Sequence, residues 1–376
     1  MKFVVQSKAF YNAASAVGKV ISSKNALIIL DNFLLELKDS KLTLTGSDTD
    51  STLSAGIELS DSEGEGKICL SSRTLSNLLK ELPDQEVTFN INDSTLEVEI
   101  TYPGGTFNLV GINGNEFPEY RAPEDQAEPV KIVTEGKRIS KAFDYTLFAV
   151  ATEDFRAQMQ GVYFDIFEDH INFVATDTRK LVRYTDNNIK PGVKTSCIVP
   201  PKAASIIRNV FGGSETMTME IGSRSATVSD GRFSFRCSFM NGKYPDYNRV
   251  IPKNNPLHLV ADRVGMLNLV RRVSIFVDAG YGLIKFRFTP EKMLLKTSDS
   301  GMCTAGRDQM ACSFSGQELT IGFGSEHIIS ILNALPGTDV NADLSDPGRP
   351  GLFFPTENEE GTDLIMLLMP MTVSEF

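Results

Sequence analysis

Three stretches of this chain end alike, each about a third of the chain from the next. "LTLTGSDTDSTL" occupies 42–53, "INFVATDTRKLV" 171–182 and "MLLKTSDSGMCT" 293–304. Each is an apolar-rich strand pattern closing on Thr/Ser-Asp-Thr/Ser, with Asp48, Asp177 and Asp299 in matching places. Other landmarks keep the same step. "SKAF" recurs at 7–10 and 140–143, and three helix patterns stand at 71–83, 199–213 and 324–337. "EFPEY" (116–120), "KYPDY" (243–247) and "LLMPM" (367–371) close the units. A period this long makes each copy a structural unit in its own right, of a usual domain size. The spacing predicts three domains, 1–122, 123–250 and 251–376, with linkers at "RAPEDQAEP" (121–129) and "IPKNNP" (251–256), where Pro and polar residues cluster.

Within the first unit the pattern predicts a strand at 2–5, a helix at 7–21 and strands near 27–38, 41–47 and 50–60. A strand near 66–70, a helix at 72–82 and strands near 86–91, 95–100 and 105–111 follow. "KDSKL", "NDSTL" and "SDGRF" are hairpin signals. The fold class is therefore α+β: three tandem domains, each with two helices packed on antiparallel sheets. Phe10, Ala13, Ala14, Val17, Val20 and Ile21 recur at helical spacing and form the face that packs on the sheet.

Asp177 first looks catalytic, between two threonines and followed by Arg179, Lys180 and Arg183. Its repetition argues otherwise: a catalytic residue is seldom needed at three equivalent places. A carboxylate that braces a turn through local backbone hydrogen bonds fits better. Only the middle copy continues with Arg179-Lys180-Leu181, so one unit carries something extra.

Composition narrows function further. The five cysteines are scattered without Cys-x-x-Cys spacing, and the three histidines lie far apart. Neither zinc, a disulfide scaffold nor a His-based triad is expected, and reduced thiols point to a cytoplasmic protein. The start has no apolar run of signal-peptide length, and no stretch is long enough to span a membrane. A net charge of −11 argues at first against nucleic acid. Yet the six helix patterns carry nine more cations than acids, so the rest of the chain is far more acidic than the total. Helices lining one surface would attract a polyanion there while the outside repels it.

Three α+β units with "VATDTRKL", "YPDYNRVIPK" and a terminal "MPM" resemble the bacterial DNA polymerase III beta subunit family, the sliding clamps. "MKFVVQ" and "LTLTGSDTD" fit as well, and the likeness runs from residue 1 to about 373. The resemblance implies a head-to-tail homodimer closing into a six-domain ring. Duplex DNA passes through it without sequence preference, and the ring tethers a polymerase as a processivity factor. It implies no enzyme activity and no cofactor. Polymerases, the clamp loader and repair proteins dock by short motifs in a pocket on the second domain. By motif, that pocket takes Met159, Thr176, Thr178, Arg179, Lys180, Leu181, Pro245, Arg249, Val250, Leu367, Met369 and Met371. Methionine and leucine give an adaptable floor, and Arg and Lys a polar rim. The DNA-facing positions are Lys24, Arg73, Lys80 and Lys202. The subunit joint sets Phe107 and Leu109 against Ile275 and Phe276. This chain departs from the family at Arg179 and Lys180, where His and Arg are usual, and at Thr178, where glycine is common. It also has Thr372 where a basic residue often stands, and runs on through Ser374-Glu375-Phe376. Rival readings are a hydrolase using Asp177 or the Asp48–Asp50 pair, and a tandem-domain scaffold. The first needs a unique convergent site, and the second needs no basic helices.

Overall fold

Alternating apolar and polar residues, punctuated by tight turns, send most of the chain into antiparallel strands. The computed structural model describes residues 1–25, 27–119, 128–152, 154–278, 282–299, 301 and 303–373. Most of the linker expected at 121–129, and the end Ser374-Glu375-Phe376, lie outside the described residues. Two helices fall in each repeat: α1 Ser7–Val17 and α2 Ser72–Glu81, α3 Gly136–Thr146 and α4 Pro201–Phe211, α5 Arg263–Ser274 and α6 Ser325–Ala334.

Helix α1 is shorter than the expected 7–21. It stops at Val17, and turns carry the chain on through Val20, which stays buried. Phe10, Ala13, Ala14 and Val17 are buried, as their spacing predicts. The helix can lie close on the sheet because position 46 is glycine. A Cβ there would come 2.9 Å from Val17 Cγ1. The strand expected near 27–38 begins only at Asn32, after the 3-10 turn Ile28–Asp31. The Asn32 side-chain amide donates to the Ile28 and Ile29 carbonyls and holds that turn. Asp39 and Ser40 have φ of 48° and 58° and make a two-residue hairpin turn, the geometry that suits strand twist.

Strand pairing continues across the repeats. One nine-stranded sheet joins strands of the first and second repeats where Ser51–Ile57 pairs with Phe233–Ser238, Leu53 opposite Phe235. A second nine-stranded sheet joins the second and third where Lys180–Asp186 pairs with Thr362–Leu368, Leu181 opposite Leu367. A diagonal ion pair, Arg183 to Asp363, supports that junction. Two smaller sheets remain. A five-stranded sheet from the first repeat ends at the edge strand Gly105–Val110. A four-stranded sheet from the third ends at the edge strand Thr304–Ala311. Because sheets ignore repeat boundaries, the chain divides by compactness into two units rather than three. The units are Met1–Ser140 with Ser205–Phe239, and Lys141–Ala204 with Met240–Phe376.

In the first unit α1 lies against α2 and the strands Lys41–Ser47 and Ser51–Ile57. Phe3, Phe10 and Phe89 are fully buried, with Phe3 stacked on Phe89 at 4.8 Å and Phe10 edge-on to both. In the second unit α5 packs on α6 and on the four-stranded sheet. Truncating Phe89→Ala removes the centre of the phenylalanine cluster and should lower unfolding free energy by ~3–5 kcal/mol. Urea titration followed by circular dichroism reads this. A loss below ~1 kcal/mol would mean the cluster is not the core of that unit.

Candidate functional site

Asp177 sits in a tight turn between strands Ile171–Thr176 and Lys180–Asp186. Asp177 Oδ1 accepts hydrogen bonds from the backbone N–H groups of Arg179 (2.9 Å) and Lys180 (2.8 Å). Thr176 Oγ1 donates to the Lys180 carbonyl and accepts from Thr178 N–H. In the first repeat Asp48 Oδ1 accepts from Asp50 N–H and Ser51 N–H in the same way. Both carboxylates are turn braces, which agrees with a structural rather than catalytic role. Thr178 has φ of 77°, the left-handed region that favours glycine. The bonds around it hold a residue there that prefers another backbone.

Lys180 is not the rim cation that the sequence suggested. Its side chain is buried, with Nζ donating to Asp177 Oδ2 and lying 3.5 Å from His327 Nδ1. A lysine engaged by a carboxylate of its own turn has little left to offer a ligand. Arg179 beside it is exposed.

Leu181 and Leu367, opposite one another across the strand junction, are buried with Val174, Ile198, Tyr244, Tyr247 and Leu352. Half-buried Tyr163, Met240, Ile251, Phe354 and Ile365 surround this cluster. Tyr163 stacks on Tyr244 at 4.5 Å, and Tyr247 donates to Asp165. Pro245 lies half-buried between the two tyrosines of "YPDY". Arg249 is exposed and paired with Asp246, and Val250 is exposed. Met159 is buried in a 3-10 turn and stands outside the cluster. The tail is fastened alongside. Met369 N–H donates to the Arg179 carbonyl, and Met371 N–H to Gly322 of the four-stranded sheet. Met369 is exposed and Met371 half-buried. The structure thus brings the second-repeat turn, the "YPDY" segment and the tail together. Sequence reasoning missed the tyrosines and His327. The aromatic pair flanking Pro245 was a readable signal, but nothing local marked His327.

Of the basic helix positions, Lys24, Arg73 and Lys80 are exposed, beside exposed Lys8 and Lys19, on or next to α1 and α2. Several other helix cations are already compensated. Lys137 pairs with Glu135, Lys141 with Glu359 and Arg272 with Asp308. Arg263 donates to the Gly337 and Leu332 carbonyls at the end of α6. Lys202 is exposed in the first turn of α4 and has a partner of its own. At the sheet edges, Phe107 is 39 % exposed and stacks on Tyr102, with Leu109 half-buried. Ile275 is 76 % exposed at the end of α5, and Phe276 lies against Gly306 of the other edge strand.

Family models described as the N-terminal, central and C-terminal domains of the DNA polymerase III beta subunit match residues 1–121, 133–246 and 248–371. The beta sliding clamp of Pseudomonas putida is 24% identical over 369 residues, covering 97% of this chain and 99% of that protein. That of Escherichia coli K12 is 25% identical over 348 residues, covering 92% and 93%. The crystal structure of the Pseudomonas aeruginosa DNA polymerase III subunit beta superposes with a TM-score of 0.92. It is 22% identical and covers 99% of this chain and all of that one.

His327 gives this region a pH dependence. Burial, and next the Lys180 ammonium, hold its imidazole below the ordinary value of 6.5. Lysine can only donate, so the neutral ring accepts at Nδ1. The unfolded ring binds a proton as pH falls through its ordinary value, while the folded ring resists. Its contribution to stability is therefore full above about pH 6.5 and erodes below it. On acidification from about pH 7.5 to about pH 5, wild type should lose more melting temperature than His327→Gln. An equal loss in both would mean that the ring is solvated.

Proposed function

The chain belongs to the DNA polymerase III beta subunit family, and we infer that it works as a DNA sliding clamp. Its three clamp domains are 1–122, 123–250 and 251–376. Two copies close head to tail into a ring, duplex DNA passes through, and the ring holds a replicative polymerase on its template. The observation that carries this is strand arithmetic. Each junction between repeats makes a nine-stranded sheet, and the five- and four-stranded sheets left at the two ends would together make a third. A second copy supplies what each open edge lacks. The chain is not an enzyme: it contributes tethering, which raises the effective concentration of polymerase at the primer end. Its place is the cytoplasm, with the DNA. No described helix is long and apolar enough to cross a membrane.

A clamp must attract phosphates without gripping bases, so that DNA slides. Lys24, Arg73, Lys80 and Lys202 serve this role, with the exposed α1–α2 cations contributing most because so many of the others are paired. Retention of the protein on circular DNA, lost when the circle is cut, tests the ring. In the variant with all four changed to Ala, the log–log salt slope of DNA binding should shrink by about 0.9 for each phosphate no longer neutralised. An unchanged slope would remove these residues from the DNA path.

The middle repeat and tail dock partner peptides: polymerase, clamp loader and repair proteins. Leu181 and Leu367 with the tyrosine cluster form the floor, Met369 and Met371 the adaptable wall, and Arg179 and Arg249 the polar rim. Met159, Thr176, Thr178, Lys180, Pro245 and Val250 complete the site, Lys180 by bracing its turn rather than by meeting the ligand. Met369→Ala with Leu181→Ala should weaken a polymerase-derived peptide at least ~10-fold, about 1.4 kcal/mol, while dimer formation stays normal. Undiminished binding would exclude this site.

A further inference from the structure

The apolar cluster of the second repeat has a counterpart of different chemistry in the first, and strand register defines it. Thr52 follows Asp48 by four positions as Leu181 follows Asp177, and Thr52 is opposite Arg236 as Leu181 is opposite Leu367. Thr45 is opposite Leu34 as Val174 is opposite Tyr163. Ser54 is opposite Ser234 as Arg183 is opposite Ile365. "EFPEY" closes the first repeat as "KYPDY" closes the second. Between this sheet face and the segment Gly114–Glu119 lies a cleft of about 970 Å³, floored by Thr45, Thr52, Ser54, Ser234 and Arg236. The leucines and valine of the second repeat are thus hydroxyls and a guanidinium here.

The cleft is preformed. Phe117 is buried with Leu30 and Cys69, and its N–H donates to the Gly114 carbonyl. A Cβ on Gly114 would come 2.5 Å from Lys67 Cβ, so glycine lets this wall sit directly on strand Gly66–Ser71. Part of the lining is already satisfied. Thr45 and Ser54 share a hydrogen bond of 2.9 Å, Thr52 and Ser47 one of 2.7 Å, and Lys67 pairs with Glu36 at 3.1 Å. Arg236, Glu116 and Glu119 line the same cleft, are exposed, and form no ion pair with a described residue.

Resting on the docking reading above, we propose that this cleft is a second docking site, for an extended peptide anchored by a carboxylate rather than by leucine. A guest Asp or Glu meets the Arg236 guanidinium and the Thr52 hydroxyl opposite it, and a guest Lys or Arg meets Glu116 and Glu119. A leucine over Thr52 and Arg236 would strip water from a cation and give nothing back, whereas a carboxylate forms charge-assisted hydrogen bonds with it. The wall is itself an extended segment, and the floor repeats about every 4.8 Å from strand to strand, so an extended chain laid across it meets successive strands in turn. The two sites sort guests by opposite chemistry, so one copy can hold two partners without competition between their motifs.

The test uses the full chain on a cellulose-bound array of hexapeptides, Ser-Ser-X-Ser-Z-Ser, with X and Z each varied over all residues. The strongest spots should pair an acid at one varied position with a base at the other. In solution, fluorescence anisotropy of the best labelled hexapeptide should show at least ~10-fold weaker binding to Arg236→Glu, with unchanged circular dichroism. On the array that variant should instead favour bases at both positions, and Glu116→Gln with Glu119→Gln should relax the preference for a base alone. Met369→Ala with Leu181→Ala should leave this hexapeptide's affinity as it was. An array without the acid–base preference would overturn the inference. So would a preference that survives Arg236→Glu, or hexapeptide binding lost in the Met369 and Leu181 variant, which would place these guests in the other site. A polymerase-derived peptide indifferent to the Met369 and Leu181 changes would count against the docking reading alone, and the Arg236 result would still decide this one.

Discussion

The backbone hydrogen bonds between Ser51–Ile57 and Phe233–Ser238, and between Lys180–Asp186 and Thr362–Leu368, carry strand pairing from one repeat into the next. Each such bond is worth little net, yet a buried unpaired backbone group is strongly destabilising. Two neighbouring repeats therefore satisfy one another's edges. The turn at Asp177 and the tail at Met369 become neighbours only because those two strands pair. The same pairing rule leaves Gly105–Val110 and Thr304–Ala311 with one side open, as the end strands of their sheets.

Charge is layered on this frame in two ways. Helix cations that find a carboxylate or a carbonyl, such as Arg272 with Asp308 and Arg263 with the end of α6, hold the third repeat together. Those on α1 and α2 face solvent and can act at a distance. A formal count over helices treats both alike. The geometry separates a cation that braces the fold from one that can draw in a polyanion.

Much of the architecture was legible because it is periodic. The Asp-centred turns at Asp48 and Asp177, two helices per repeat and the buried face of α1 follow from the repeat and from spacings of two and of three to four residues. The bracing role of Asp48 and Asp177 was legible from repetition alone. What escaped was long-range. Lys180 reads as a surface lysine until Asp177 and His327 close over it, and His327 lies 147 positions away. The compensation of Lys141 by Glu359 spans 218 positions. The continuity of sheets through repeat boundaries has no local signature, since an edge strand and a central strand share the same alternation. Thr178 shows the converse: the φ of 77° explains why glycine suits that place, a reason invisible in the letters.

The tail has two duties at once. Met369 is tied to the second repeat's turn and Met371 to the third repeat's sheet, so the segment proposed to wall the docking surface is also a clasp between strands of both repeats. A guest that needs the clasp shut binds the native state and not the unfolded chain. By mass action its binding free energy is then added to the resistance of this part of the protein to melting, by about 2.7 kcal/mol when the guest is at about a hundred times its dissociation constant. Occupancy at the surface thus becomes durability in the frame, and a clamp in use is harder to unmake than an idle one.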